Sequence, residues 1–178
     1  MNYRPITDVW ILARPKVKYY GAYPAGFLSR ARALLGVGPA DPVLHVCAGR
    51  VRDYPYDGVG LHDRTLDLDL ACQPDFLRDA REPFPVPVNG GAWAAVLIDP
   101  PYTDEDAAKY GPGSDKLPAP NLLVCHGLAV VRDGGRVGVL HYLWPQPPKD
   151  AKSVAAVAVL VGFNNRVRIF SVFERRTA

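Results

Sequence analysis

Residues 94–102 read AAVLIDPPY, an apolar run that stops at Asp99 and is followed by two prolines and a tyrosine. The run has the length of one strand, and its continuous apolar character predicts a strand buried on both faces of a sheet. Pro100 and Pro101 have no backbone N–H and fix φ near about −65°, so the chain must leave the sheet in a rigid, extended turn. The stretch therefore predicts Asp99 at the carboxyl edge of a sheet, beside the exposed carbonyl of Pro100.

Short apolar or alternating runs on both sides of this stretch predict further strands, at residues 43–47, 66–70, 136–143, 154–163 and 167–173. Helical spacing of apolar residues predicts helices at 27–35 and 121–131, the second with Asn121 as its N-cap. Asn164 and Asn165 tolerate the positive φ of a tight turn, so the last two strands predict a terminal hairpin over 154–174. Strands alternating with helices predict an α/β fold in three layers, Rossmann-like, whose mostly parallel sheet ends in an antiparallel β-hairpin.

The remaining segments carry weaker signals. We expect residues 1–25 to form an irregular N-terminal arm, residues 74–80 to form a short turn or helix, and residues 103–120 to form a mobile loop rich in glycine and proline. The length of 178 residues favours a single domain over 1–178.

Composition excludes several classes of protein. Hydrophobic residues make up 48% and charged residues 22%, which is typical of a soluble globular protein and excludes a disordered or fibrous chain. A net charge of +3 permits a polyanionic partner without arguing for one.

The sequence holds no apolar run long enough for a membrane span, and residues 1–15 do not resemble a secretory leader. The 3 cysteines are widely spaced without a CxxC pair, so we expect no zinc or other metal site and a reducing, cytoplasmic compartment.

The turn after the central strand has a definite chemistry. The Asp99 carboxylate and the Pro100 carbonyl offer two adjacent hydrogen-bond acceptors, which match the two N–H donors of an exocyclic amine. Tyr102 offers a flat face on which a planar base can stack. In open α/β sheets, ligands bind beyond the carboxyl ends of the strands, which is where this turn is predicted.

Asp99-Pro100-Pro101-Tyr102 resembles the catalytic motif of the amino-methylating class I S-adenosylmethionine-dependent methyltransferases, especially the DNA adenine methyltransferases. The Asp form of the motif resembles the adenine-amine enzymes and the Ser form the cytosine-amine enzymes. The Asn form is shared with enzymes that act on RNA bases and on glutamine amides. The resemblance implies a methyltransferase fold, S-adenosyl-L-methionine as cofactor, and a catalytic role for Asp99, Pro100, Pro101 and Tyr102.

A second segment, residues 43–50, resembles the first motif of the same family, in which a strand ends in a small-residue turn against the methionine part of the cofactor. The resemblance assigns Cys47, Ala48 and Gly49 to that turn. His45 stands where an acidic residue is commonest, and Val51 stands where a second glycine is common. His45 is therefore either a cofactor contact or an ordinary strand-end histidine.

Acidic residues further along the chain complete the predicted cofactor site. A carboxylate about 20 positions after the glycine turn is where a dinucleotide-type fold binds ribose hydroxyls, which indicates Asp67 first and Asp69 second. Residues 76–80 resemble the third motif of the family, and there Asp79 and the following Ala80 would address the adenine of the cofactor.

Two flexible-looking segments are expected to lie near the site. Tyr20, within residues 16–24, belongs either to the family's additional cofactor motif or to an aromatic arm that covers the edge of the sheet. The loop 103–120 is expected to close over the substrate, with Tyr110 and Lys116 as candidate contacts.

The leading hypothesis from the sequence is S-adenosylmethionine-dependent methylation of the exocyclic amine of adenine in DNA. The same chemistry on RNA is one alternative, and a non-catalytic nucleic-acid-binding protein on a decayed methyltransferase fold is another. We expect nucleic acid as partner, DNA before RNA, and no membrane. Since the core fold uses nearly all residues, weak intrinsic specificity, an RNA target, and recognition supplied by a homodimer or a partner all remain open. The base must be flipped out or single-stranded to reach such a site.

Overall fold

The computed structural model describes residues 4–110, 116–162 and 166–176. Eight strands form one sheet: β1 (Ile6–Leu12), β2 (Val43–Val46), β3 (Arg64–Asp67), β4 (Phe76–Leu77), β5 (Trp93–Ile98), β6 (Val131–His141), β7 (Ala151–Val161) and β8 (Val167–Arg175). Their order across the sheet is β1-β7-β8-β6-β5-β2-β3-β4. All neighbours pair in parallel except β8, which is antiparallel to both β6 and β7. The predicted α/β fold with a mostly parallel sheet and a terminal hairpin is confirmed.

Two helices cover opposite faces of the sheet. On one face, α1 (Phe27–Leu35) places Phe27 and Leu28 in a core with the inward side chains of β1, β7 and β8. On the other, α3 (Pro120–Val130) packs Leu123 and Val124 against β5 and β6. All six residues of β5 are buried, as the continuous apolar run predicts. A third helix, α2 (Asp104–Ala107), is a single turn within the segment that was predicted to be a loop.

The expectation of an irregular arm over residues 1–25 is wrong for Ile6–Leu12, which form β1 at the edge of the sheet, parallel to β7. The residues alternate as a strand requires: Trp10 and Leu12 are buried in the α1-side core, while Val9 and Ile11 are exposed. The Trp10 ring lies 6.2 Å from the Phe27 ring, so packing of these side chains holds the strand in place.

Other elements differ from the prediction at their boundaries. Residues 76–77 form β4 rather than a turn or helix. The alternating run 66–70 leaves the sheet after Asp67, because Asp69 accepts the N–H of Ala71 and begins a short 3-10 turn. Asn121 is not the N-cap of α3, which begins at Pro120 after Ala119; Pro at the start of a helix lacks only an N–H that would be unsatisfied anyway. The asparagine turn of the hairpin, at 164–165, lies outside the described residues.

The topology brings the carboxyl ends of most strands to one edge of the sheet. Because β1, β2, β3, β5, β6 and β7 are parallel, their carboxyl ends lie at the same edge, and the start of antiparallel β8 joins them there. Within residues 4–110, 116–162 and 166–176, no helix has the length and apolarity needed to cross a bilayer.

Candidate active site

Three adjoining cavities lie at the carboxyl edge of the sheet, and Asp99 and Tyr110 line all three. The outer cavity, about 270 Å³, is bounded by the Asp99–Tyr102 turn, residues 14–24 and the start of β8. The β3 cavity, about 80 Å³, is bounded by Cys47, Asp67, Asp79 and Ala80. The turn cavity, about 30 Å³, lies over Cys47, Ala48 and Gly49. Most of the strand-end residues predicted to act together therefore line these cavities, whereas His45 and Asp69 line none of them.

Asp99 lies where the three cavities meet, directly after the buried strand β5. Its N–H donates to the carbonyl of Val46 at 3.2 Å, which ties the turn to neighbouring β2. The Tyr102 hydroxyl donates a short hydrogen bond to Oδ1 of Asp99. Burial raises the pKa of Asp99 to about 6, against the opposing effects of the Arg168 charge and the Tyr102 hydrogen bond. At neutral pH the group is mostly a carboxylate, with Oδ2 as its second acceptor.

Tyr102 is part of an aromatic cluster rather than an isolated platform. Its ring lies 4.6 Å from the Tyr142 ring and 5.4 Å from the His141 ring. Burial raises the pKa of Tyr102 well above its usual value, and the negative charge of Asp99 raises it further. The hydroxyl therefore stays protonated and donates a hydrogen bond to Asp99 at any ordinary pH. Tyr142 occupies one part of the predicted stacking surface.

Arg168 is a site residue that the sequence motifs do not reveal. It lies in β8 and lines the outer cavity, where its Nη1 donates to the Tyr102 hydroxyl oxygen at 3.5 Å. Arg14, just after β1, and Arg166, just before β8, line the same cavity. The sequence shows these residues only as scattered cations. Placing them at the site requires the antiparallel insertion of β8 and the edge strand β1.

The turn after β2 adopts the backbone that a close ligand contact needs. Cys47 and Gly49 have φ values of 53° and 50°, in the left-handed region that favours glycine. The N–H of Gly49 donates to Oδ2 of Asp67 at 2.7 Å, which joins the turn to the end of β3. A Cβ built on Gly49 would meet no atom within 4 Å, so the turn faces open space rather than packed protein.

The structure separates the two candidate ribose carboxylates. Asp67 lines the β3 cavity, and its Oδ1 accepts the N–H of Asp69 at 2.9 Å. Asp69 caps the following 3-10 turn through Ala71 and lines none of the three cavities. Asp79 lines the β3 cavity beside Ala80, and hydrogen bonds from Arg81 hold the pKa of Asp79 below its usual range.

His45 is not brought to the site, which corrects its assignment as a candidate cofactor contact. It lies inside β2, before the strand end, with 1% of its surface exposed. Its Nε2 lies 2.9 Å from Oδ2 of Asp63, and Arg32 binds the same carboxylate through Nη1 at 2.8 Å. Burial raises the pKa of Asp63, but hydrogen bonds from His45 and Gly60 and the charge of Arg32 outweigh it, so the pKa is lowered overall. His45 therefore belongs to a buried ionic cluster.

Tyr20 and Tyr110 line both the outer cavity and the turn cavity. The Tyr20 hydroxyl donates to Oδ1 of Asp106 at 2.7 Å, and its ring lies 5.8 Å from the Tyr110 ring. A Cβ on Gly21 would lie 2.5 Å from the Tyr110 hydroxyl oxygen, so a larger residue here would displace the Tyr110 ring, and the φ of 80° also favours glycine. Lys116, a candidate substrate contact, lines the β3 cavity and does not line the outer cavity. Residues 111–115 of this segment lie outside the described residues.

Among the residues that the structure describes, no group of three or more His, Cys, Asp or Glu side chains could hold a metal ion.

The strand order and the mostly parallel pairing are those of an α/β Rossmann-like fold. No protein-family model matches the sequence, and no curated protein sequence matches it. Solved structures do resemble the model. TrmN from Thermus thermophilus superposes with a TM-score of 0.61 at 20% identity, over 88% of this chain and 50% of that one. The chain thus spans about half the length of TrmN.

Two further structures extend the likeness. An rRNA methylase from Streptococcus thermophilus gives a TM-score of 0.52 at 11% identity, over 88% of this chain and 100% of that one. A putative methyltransferase from Streptococcus mutans, solved in complex with SAH, gives 0.51 at 10% identity, over 82% of this chain and 95% of that one. The chain therefore has the α/β Rossmann-like fold of these methyltransferases.

Proposed function

We propose that the protein transfers a methyl group from S-adenosyl-L-methionine to the exocyclic amine of adenine in DNA. The observation that carries this proposal is the position of Asp99. Its carboxylate follows the buried central strand, precedes a rigid Pro-Pro turn, and stands where a large outer cavity meets two smaller cavities lined by predicted cofactor residues. The Asp form of the motif favours an adenine amine, and the DNA enzymes are those that it resembles most.

The residues of the two smaller cavities fit the cofactor. Asp67 would accept hydrogen bonds from the ribose hydroxyls, and Asp79 would accept one from the adenine amine. The turn at Gly49 leaves the space that the methionine end needs, since a Cβ there would project into the open. Tyr20 covers that end. When bound, the cofactor supplies an electrophilic methyl group on a sulfonium.

Asp99 and the Pro100 carbonyl then activate the amine. An adenine amine is a weak nucleophile because its lone pair is delocalised into the ring. Hydrogen bonds from its two N–H groups to Asp99 and Pro100 return electron density to nitrogen and favour the positive charge that develops there. The nitrogen lone pair forms the new N–C bond, the electron pair of the broken C–S bond stays on sulfur, and one N–H proton is lost. Asp99, whose pKa is about 6, is placed to accept that proton.

Methylation of adenine in RNA is the second candidate, because one fold neighbour is an rRNA methylase. The experiment that tests the function incubates the protein with methyl-labelled S-adenosylmethionine and either DNA or RNA of matched sequence, followed by nucleoside analysis. Labelled N6-methyldeoxyadenosine supports the proposal, and labelled N6-methyladenosine from RNA alone would replace DNA by RNA. If calorimetry detects no cofactor binding and no nucleoside carries label, the chain is a non-catalytic protein on a methyltransferase fold.

Replacing Asp67 by alanine is expected to weaken cofactor binding by about 10- to 150-fold, since the variant loses a charged hydrogen-bond acceptor. It also removes the bond that holds Gly49. Asp69→Ala is the matched control, because Asp69 lines none of the three cavities, and it should keep the affinity within about threefold. Calorimetric titration with S-adenosylmethionine measures both, and equal losses in the two variants would contradict the assignment.

Replacing Arg168 by methionine is expected to shift the acid limb of the pH profile of kcat/KM upward by about one pH unit. The reason is that Arg168 lowers the pKa of Asp99, and the reaction needs Asp99 as a carboxylate. Arg168→Lys keeps the charge, so its acid limb should stay close to the wild-type position. Arg176→Met, which removes an exposed cation elsewhere, is the control. An acid limb that stays in place in Arg168→Met would remove the electrostatic role of Arg168.

A further inference from the structure

We propose that Leu143 and Trp144, together with Arg14 and Arg166, hold the DNA strand on either side of the reacting adenine. These four residues are termed the rim surface. The inference rests on the proposed function, and it assigns to this chain a site of its own for binding the nucleic acid.

The apolar half of the rim surface follows directly from the end of β6. Tyr142 lines the outer cavity, and the next two residues are exposed, Leu143 by 62% and Trp144 by 48%. The segment is held in place at two points. The N–H of Leu143 donates to Nδ1 of His141 at 2.9 Å, and the N–H of Gln146 donates to Oδ1 of Asn121 at 3.0 Å. Two large apolar side chains are therefore presented to solvent beside the outer cavity by a fixed segment.

The cationic half comes from two other chain segments at the same edge. Arg14 follows β1 and Arg166 precedes β8, and both line the outer cavity. Nη1 of Arg166 donates to the Tyr142 hydroxyl oxygen at 3.4 Å, which joins the cationic half to the segment that carries Trp144. Asp106, an acidic residue on the same wall, is bonded to Tyr20 and to Lys109, so its charge is already compensated.

The combination of a base-stacking side chain with cations fits a nucleic acid strand better than a protein partner. An adenine drawn into the outer cavity leaves its neighbours unstacked, and exposed aromatic or aliphatic side chains can pack against them. Arginines at the mouth of the same cavity match the phosphates that flank the extruded nucleotide. The strand is assigned as DNA because that is the substrate of the proposed reaction.

Tryptophan fluorescence isolates this surface from the rest of the molecule. The sequence has 3 tryptophans. Trp10 and Trp93 are buried, with 6% and 2% exposed, so Trp144 is the tryptophan that a bound strand can reach. The probe is a single-stranded DNA of about 12 nucleotides with one adenine among thymines. We expect saturable quenching that weakens with added salt.

Variants separate the two halves of the surface. Trp144→Ala is expected to weaken binding of a dye-labelled copy of the probe by about 5- to 150-fold, measured by fluorescence anisotropy. Leu143→Ala should weaken it less, and its control, Leu61→Ala, should not, because Leu61 is also exposed but lies away from the outer cavity. Arg14→Gln should reduce the slope of log affinity against log salt by about 0.7. Since Trp144, Leu143, Leu61 and Arg14 are all surface residues, thermal melting of the four variants should be unchanged.

The outcomes distinguish this inference from the proposed function. Quenching in the wild type, together with a loss of affinity in Trp144→Ala, supports the rim surface even if no methyl transfer is found. Methyl transfer to DNA that proceeds with wild-type KM in Trp144→Ala and Arg14→Gln would overturn it while leaving the function intact. Tighter binding of an RNA probe of the same sequence would overturn the assignment to DNA.

Discussion

Replacing Asp99 by alanine is expected to reduce methyl transfer to DNA by about a thousandfold. The variant removes the carboxylate that accepts the amine N–H at the meeting point of the three cavities, while the Pro-Pro turn and the buried strand β5 remain. Cofactor binding should be largely retained, since Asp67, Asp79 and the Gly49 turn are unchanged. Single-turnover transfer and calorimetric titration with S-adenosylmethionine measure the two properties separately.

The control for this experiment is Asp57→Ala, which removes an exposed carboxylate that lines none of the three cavities. It should transfer methyl groups at the wild-type rate. Wild-type turnover by Asp99→Ala would show that the amine is not activated by this carboxylate, and the chemical argument for the site would then fail even if the cofactor binds.

Replacing Asp63 by alanine is expected to lower the free energy of unfolding by about 3–5 kcal/mol. The change leaves the buried Arg32 guanidinium without its counter-ion and removes the acceptor for His45 and for the N–H of Gly60. Denaturant unfolding followed by circular dichroism measures the effect. In the control Asp133→Ala, the lost ion pair with Arg175 involves an aspartate that is 63% exposed, and the cost should stay below about 1 kcal/mol.

The difference in stability between the wild type and Asp63→Ala should depend on pH, and the direction of that dependence is defined. The pKa of Asp63 is lowered in the folded state, so its contribution to stability is present above the unfolded pKa of about 4 and is lost as pH falls through the folded value. The difference in stability between wild type and Asp63→Ala should therefore narrow on acidification below about pH 4. A difference that stayed constant down to about pH 2 would contradict the ion pair.

Local signals in the sequence were sufficient for the centre of the fold. The apolar run before Asp99 predicted β5, and the two prolines predicted where the chain leaves the sheet. The boundaries of β3 could not be predicted, because the alternation continues to residue 70 while the capping bond from Asp69 to Ala71 ends the strand earlier. The sequence does not predict β1, although Ile6–Leu12 is rich in β-branched residues, because its place in the sheet depends on parallel pairing with β7 near the other end of the chain.

The candidate site likewise contains residues that the sequence reveals and residues that only the structure reveals. The motif at Asp99 is contiguous, so the sequence could reveal it. The choice of Asp67 over Asp69 depends on which of the two side chains lines the β3 cavity. That His45 lies outside the site is known only from its hydrogen bond to Asp63. Arg168 reaches the site only because β8 runs antiparallel between β6 and β7, which no local pattern encodes.

The outer cavity and the β3 cavity have different linings apart from Asp99, Pro101 and Tyr110. On the proposed function, each ligand would have its own entrance, and the two would meet only at the reacting atoms. On the proposed function, spent cofactor would leave and be replaced from its own side while the polymer stays bound, so that successive adenines along one molecule can be modified before it is released.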